Sequence, residues 1–97
     1  MIGWIACSLA GHDRNKIYII IEETDEYVWL SDGDIRPVEK PKRKRKKHIQ
    51  VIKKNMDEVL IEMLQSAKGA EANEAVKPVR INETIKRAIK LYKQSLT

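Results

Sequence analysis

The chain has 97 residues and a net charge of +5, from 19 basic and 14 acidic side chains, and it contains one cysteine. A chain this short forms one domain, or a small domain with an appendage, and its thin core leaves little room for a shielded catalytic cleft. A single cysteine excludes an internal disulfide, so we expect a reducing compartment. The thin core leads us to expect a non-enzymatic protein without a cofactor, and Cys7, His12 and His48 do not have the spacing of metal ligands, so we expect no metal site.

The opening stretch is uncharged and reads MIGWIACSLAG. It lacks the basic segment that begins a signal peptide, and it is too short to span a bilayer. Because no other stretch resembles a transmembrane segment, we expect a soluble, cytoplasmic protein without a membrane partner. The thin core leads us to expect no small-molecule substrate.

The first half of the chain predicts β structure. Two apolar stretches, IGWIACSL and KIYIIIEE, flank the polar loop AGHDRN, and YVWLS follows after a short turn. Gly33 in DGD predicts a tight hairpin, followed by IRPVEK as a short edge strand and HIQVI as a fifth strand. Short strands and tight turns predict a small closed or nearly closed β-barrel over residues 1–53. The continuous apolar run at residues 17–21 predicts that both of its faces are covered, and an overlying helix is one way to cover the outer face.

A dense basic run lies between the last two predicted strands. Residues 40–47 read KPKRKRKK, which is seven cations in eight residues. Without these seven, the 19 basic residues fall to 12 against 14 acidic ones, so the positive charge is concentrated in a loop at residues 40–48. Such a concentration is typical of a patch that binds a polyanion, with a nuclear import signal as the alternative. Because like charges repel, we expect this loop to be mobile when nothing is bound.

The second half changes to helical periodicity and predicts an extension over residues 54–97. Apolar residues recur at helical spacing over residues 55–67 and 82–95, and Asn55 and Asn82 are the predicted N-caps. Gly69 and Pro78 interrupt the stretch between, which predicts a linker over residues 68–81. The second helix is predicted to carry a basic face, formed by Lys86, Arg87, Lys90 and Lys93.

Three segments of the first half resemble a known domain in their order and spacing. GWIACSLAGHDRNKIYIII is similar to a KOW motif, in which a loop built on one glycine, here Gly11, joins two strands. The continuation LSDGDIRPVEKPKRKRKKH resembles bacterial KOW-domain RNA-binding proteins, small relatives of a family of archaeal and eukaryotic large-subunit ribosomal proteins. His12 departs from the pattern, because the family usually has Arg there. The matching positions are Ser8, Ala10, Gly11, Asp13, Asp32, Gly33, Arg36, Pro41, Lys42, Lys44, Lys47 and His48.

The resemblance covers about the first 52 residues. It implies a mainly β fold, a small Src-homology-3-like (KOW) β-barrel, here followed by a C-terminal α-helical extension that the resemblance does not cover. It also implies a partner, structured RNA, commonly ribosomal RNA, and an association with the ribosome. The residues predicted to bind RNA are Gly11, His12, Arg14, Lys16, Arg36, Lys40, Lys42, Arg43, Lys44, Arg45, Lys46, Lys47 and His48.

The basic run suits a phosphate backbone on physical grounds. Eight extended residues span about 25 Å, the length of about seven successive phosphates on one strand. If all seven cations engaged a duplex, the logarithm of the binding constant would fall with the logarithm of salt concentration with a slope of about −6. Arg43 and Arg45 can add bidentate phosphate contacts. Such contacts position a protein without reading the bases, so the amino-acid sequence predicts no particular RNA. It also predicts no particular oligomeric state.

The aromatic residues, the single cysteine and the amphipathic helices allow other interpretations. The aromatic residues Trp4, Trp29, Tyr18 and Tyr27 can stack on bases, but bulky core and rim positions are the simpler expectation. Cys7 with His12 and Asp13 would provide a nucleophile and a base, but a cysteine inside a predicted strand is more simply a packed core residue. The alternative function is a protein-interaction module of the transcription or translation machinery, in which the barrel and the amphipathic helices bind a protein partner.

Overall fold

The computed structural model describes residues 1–53, 57–69 and 77–96, with the side chains of residues 66–69 excluded. Five strands come first: β1 Ile5–Ser8, β2 Ile17–Glu23, β3 Tyr27–Ser31, β4 Lys42–Arg45 and β5 Ile49–Ile52. A 3₁₀ turn, Lys46–His48, joins β4 to β5. Two helices follow, α1 Glu58–Gly69 and α2 Pro78–Ser95. The expected mainly β fold with a C-terminal helical extension is confirmed.

The strands form one antiparallel sheet in the order β4-β3-β2-β1-β5. The expectation of a closed barrel is not met, because β4 pairs only with β3 and β5 pairs only with β1 among the described residues. Both edge strands are four residues long, and a 3₁₀ turn rather than a hairpin connects them, so neither lies alongside the other.

Strand alternation places apolar side chains on both faces of the sheet. On one face, Ile5 and Ile19 pack against α1 and α2 in a helix-side core that includes Leu60, Ile81 and Ile85. The other face carries a second core, formed by Ala6, Tyr18, Ile20, Val28, Leu30 and Ile49. The expectation that the run at 17–21 has both faces covered, one of them by a helix, is therefore confirmed.

The predicted strand IRPVEK is wrong, and the basic run forms a strand in its place. Asp32 Oδ1 accepts hydrogen bonds from the backbone N–H groups of Asp34 and Arg36, both at 2.8 Å, so these groups are not available to a neighbouring strand. The predicted turn at Gly33 is present, with a φ of 75°. Regular pairing resumes only at Lys42, so residues 42–45 belong to the sheet instead of a mobile loop.

The helices begin at Glu58 and Pro78. The Leu60 N–H donates to Asp57 Oδ1 at 3.1 Å at the start of α1, and the predicted cap Asn55 lies outside the described residues. Pro78 starts α2, where its missing N–H costs no hydrogen bond. Asn82, predicted to be a cap, lies inside α2, accepts from Val38 N–H at 2.8 Å and donates to Glu39 at 2.7 Å. It ties α2 to the segment that leads into β4.

Candidate nucleic-acid interface

Strand pairing divides the cations of the basic run between two faces. Lys42 and Lys44 pair with Leu30 and Val28, two residues of the second core, so their side chains start out on the buried face of the sheet. Arg43 and Arg45 point the other way and are exposed. Alternation inside β4 therefore separates charges that an unstructured run would leave crowded together.

A buried carboxylate receives the two inward lysines. Asp13, only 4% exposed, lies 2.7 Å from Lys44 Nζ through Oδ1 and 3.1 Å from Lys42 Nζ through Oδ2. Lys44 is 9% exposed, and its ammonium group also donates to the Ala10 carbonyl at 2.7 Å. This contact attaches β4 to the loop that contains Gly11.

Two hydroxyl groups complete the shell of Asp13, which with Ser8, Tyr18, Lys42 and Lys44 we call the anchor cluster. Ser8 Oγ donates to Oδ1 at 3.0 Å and Tyr18 OH donates to Oδ2 at 3.2 Å. Burial alone would raise the pKa of Asp13, but the hydrogen bonds from Lys44, Lys42 and Ser8 outweigh it and hold the pKa well below its usual range. Burial, together with the Asp13 charge and hydrogen bond, raises the pKa of Tyr18 to about 12. Asp13 is therefore a carboxylate, and Tyr18 a neutral donor, over the physiological pH range.

The Gly11 loop is ordered by its own backbone. Gly11 has a φ of 83°, a conformation that favours glycine, and its carbonyl accepts from Arg14 N–H at 3.2 Å. The Lys16 N–H donates to the Asp13 carbonyl at 2.9 Å, and the Leu9 N–H donates to the His48 carbonyl at 2.9 Å. The loop thus lies against both β4 and the 3₁₀ turn, on the face of β4 that carries Lys44 and opposite the face that carries Arg43 and Arg45.

Four residues of the basic run remain exposed, and we call them the outer cations: Lys40, Arg43, Arg45 and Lys47. The guanidinium carbons of Arg43 and Arg45 lie 4.8 Å and 5.6 Å from the centroid of the Tyr27 ring. Cation–π contacts of this length hold both side chains on the exposed face of the sheet edge.

Lys46, in contrast, is engaged within the chain. Its Nζ lies 2.9 Å from Glu23 Oε2, and Glu23 also accepts a hydrogen bond from the N-terminal ammonium group of Met1. Hydrogen bonds from the N-terminus and from Lys46 lower the pKa of Glu23. Three of the seven cations are consequently paired with carboxylates of the same chain, a pairing that the basic run alone does not predict.

The remaining predicted residues lie around the Gly11 loop or close to it. His12, Arg14, Lys16 and His48 are exposed on the loop and on the adjoining 3₁₀ turn. Arg36 is exposed on the connection between β3 and β4, and its positive charge slightly opposes the rise in the pKa of Tyr18. All of these are accessible to a partner, whereas Lys44 is buried and its ammonium group is already bound.

The residues that the sequence analysis missed are Asp13 as an anchor and Tyr27 as the support for two arginines. The alternating pattern of KRKR was the available signal, because it predicts that residues 42 and 44 share one face once the segment is known to be a strand. The contacts of Cys7 and Asp13 give no support to the alternative set aside above, in which Cys7 acts with His12 and Asp13. Cys7 Sγ contacts the Ser8 carbonyl, and both Asp13 oxygens are held by the anchor cluster.

The described residues indicate neither a metal site nor a membrane-spanning helix, and comparisons with known proteins add no family. Within the described ranges, His, Cys, Asp and Glu side chains nowhere gather in threes as a metal site would require. Neither helix, over its described length, is long and apolar enough to cross a membrane. No protein-family model matches the chain, and a search among curated proteins finds no match.

Proposed function

We propose that the chain binds structured RNA without catalysis, through the outer cations of residues 40–47 and the adjoining Gly11 loop. The observation that carries the proposal is that Arg43 and Arg45 are held, exposed and side by side, on a strand anchored to that loop. Two residues along a strand span about 6.6 Å, or about two phosphate intervals on one nucleic-acid strand. The two arginines can therefore reach alternate phosphates.

Preorganisation supports this use of the basic run. A mobile cationic loop would lose conformational entropy when it binds, whereas a strand anchored through Lys44 has already lost it. Arginine can also stack its guanidinium plane on an unpaired base while bonding a phosphate. Loops and bulges of folded RNA offer both groups together, which favours structured RNA over a uniform duplex.

The resemblance to KOW-domain proteins supports the same proposal. In the sheet order β4-β3-β2-β1-β5, the last strand returns to the first after a 3₁₀ turn, an arrangement compatible with a Src-homology-3-like fold that remains open at one side. We propose ribosomal RNA as the target class and the cytoplasmic ribosome, or a particle on the way to it, as the setting.

Salt dependence of binding to purified ribosomal RNA tests the proposal. If the four outer cations are the ones that engage, the slope of log binding constant against log salt is about −3.6, not the value of about −6 for all seven. Changing Arg43→Gln and Arg45→Gln together should weaken binding at least about tenfold and reduce the slope by about 1.8. The matched control changes Arg80→Gln and Arg87→Gln, two exposed arginines of α2, and should change affinity by less than about twofold.

An equal loss of RNA affinity in the two double variants would show that binding depends on the total charge of the protein and not on this surface. An affinity that neither salt nor the Arg43 and Arg45 changes affect would reject RNA binding at this site. Circular dichroism of each variant confirms that the sheet is intact before the affinities are compared.

A further inference from the structure

A cleft with an aliphatic floor lies between α2, the start of β2 and the connection from β3 to β4. Its volume is about 600 Å³. Ile17, Ile35 and Ile89 supply apolar surface, and Lys16, Lys86, Lys90 and Lys93 also line it. We call it the lysine cleft. Only Lys16 belongs to the surface proposed above for RNA.

The outer wall of the lysine cleft is held in place by the chain. Ile35 is 75% exposed although it is a large aliphatic residue. The two hydrogen bonds to Asp32 fix the loop on either side of it, and Gly33 lies so close to α2 that an added Cβ would collide with the Asn82 carbonyl. The exposed position of Ile35 is thus a property of an ordered turn, which makes it suitable for receiving an apolar side chain of another molecule.

The charges of the cleft are unbalanced towards the positive. Lys86, Lys90 and Lys93 follow one another at intervals of four and three along α2, and all are exposed. None of the four lysines forms an ion pair with another described residue. Asp32 and Asp34 also line the cleft, so four lysines face two carboxylates. One of these, the carboxylate of Asp32, already accepts two backbone hydrogen bonds.

We propose that the lysine cleft docks an acidic amphipathic helix from a protein partner. Residues 86 to 93 of α2 span about 10.5 Å, or two helical turns, so carboxylates at intervals of three or four on a second helix can meet the three lysines in turn. Aliphatic side chains on the same face of that helix then pack against Ile35 and Ile89. The proposal does not depend on RNA binding.

An unstacked base is a poorer occupant of the cleft. Protein sites for single bases rely on aromatic or guanidinium planes for stacking. The one aromatic residue lining the cleft in the described part of the chain, Tyr18, is buried in the second core and donates to Asp13. The other apolar side chains of the cleft, Ile17, Ile35 and Ile89, are aliphatic, and an aliphatic floor edged by lysines matches the two faces of an acidic helix.

Selection of peptides tests the proposal without a known partner. A phage-displayed library of 16-residue peptides is selected on the full chain, and enriched peptides are synthesised and measured by fluorescence anisotropy. We expect Asp or Glu together with Leu, Ile, Val or Met at helical spacing, and a loss of affinity of about tenfold for Ile35→Asp and for Lys90→Glu. The matched control is Arg87→Glu, a charge reversal of an exposed α2 residue outside the lysine cleft, which should change affinity by less than about twofold.

Enriched peptides without an acidic and apolar pattern, or peptides that bind Ile35→Asp and Lys90→Glu as well as the unchanged chain, would overturn the proposal. So would a loss of ribosomal RNA binding in Ile35→Asp with no peptide enriched, because the cleft would then belong to the RNA surface. Both substitutions are at exposed positions, and thermal melts of the two variants establish that the fold is kept. The Arg43→Gln, Arg45→Gln variant should retain peptide binding, which separates this proposal from the proposed RNA function.

Discussion

Removing the charge of Asp13 should destabilise the protein more than any exposed acidic substitution. The change Asp13→Asn keeps the size of the side chain but leaves the buried Lys44 ammonium group without its carboxylate, and Lys42 loses the same partner. Breaking a buried ion pair by removing one member costs about 3–5 kcal/mol. Because the asparagine carbonyl can still accept one hydrogen bond and Lys42 can turn towards water, we expect the lower end, about 3 kcal/mol.

A loss of this size is large for a chain of 97 residues, whose total stability is expected to be about 5–15 kcal/mol. Urea unfolding followed by tryptophan fluorescence measures this loss of stability. The slope of the free energy of unfolding against urea concentration should not change if the unfolded state is unaffected. The matched control is Asp25→Asn, the same chemical change at an exposed position, expected to be within about 0.5 kcal/mol of the unchanged chain. If the free energy of unfolding of Asp13→Asn also lies within about 0.5 kcal/mol of the unchanged chain, the anchor cluster does not stabilise the fold as argued.

Acid titration of stability provides a second measurement of the same cluster. The folded pKa of Asp13 lies below its ordinary value, so its contribution to stability is complete above about pH 4 and is lost as the pH falls from there through the folded pKa. The unchanged chain should therefore lose stability in this acidic range more steeply than Asp13→Asn does. Parallel curves for the two proteins would contradict the assigned cause.

Two further predictions concern Tyr18 and Asn82. The tyrosinate absorbance of Tyr18 should appear near pH 12, and Tyr18→Phe should remove that step. Because the folded pKa of Tyr18 is raised, its contribution to stability is complete below about pH 10 and is lost as the pH rises from there through the folded pKa. Asn82→Ala should cost about 1–3 kcal/mol in urea unfolding, because it leaves the Val38 N–H without its acceptor, whereas a value near zero would mean that water replaces the amide.

Local patterns predicted the sheet but not its edge at residues 42–45. Stretches of β-branched and aromatic residues between turn residues identified β1, β2, β3 and β5, because each carries apolar residues that must be buried. The residues of β4 are all Lys or Arg, and no propensity rule predicts a half-buried strand there. What makes the strand possible is Asp13, 31 residues before Lys44, and a contact over that distance leaves no trace in a local window.

Hydrogen bonds of polar side chains account for the other differences. Asn82 was predicted to be an N-cap because asparagine often starts helices, but its amide meets Val38, 44 residues earlier, and the helix starts at Pro78 instead. Asp32 was correctly placed in a turn. The additional effect of its carboxylate, two hydrogen bonds that remove residues 34 and 36 from the sheet, depends on a side-chain conformation that sequence does not specify.

The pairing of Asp13 with Lys44 is better explained by orientation than by stability. Replacing both members of a buried ion pair with apolar residues is often neutral or stabilising, so stability alone gives little reason to bury a lysine in β4. What the pair does supply is a fixed position for β4 beside the Gly11 loop, with Arg43 and Arg45 directed outwards. The double variant Asp13→Asn, Lys44→Met should therefore recover most of the stability lost by Asp13→Asn alone, while its affinity for ribosomal RNA stays below that of the unchanged chain. Recovery of both properties together would mean that the orientation of the outer cations does not depend on the buried pair.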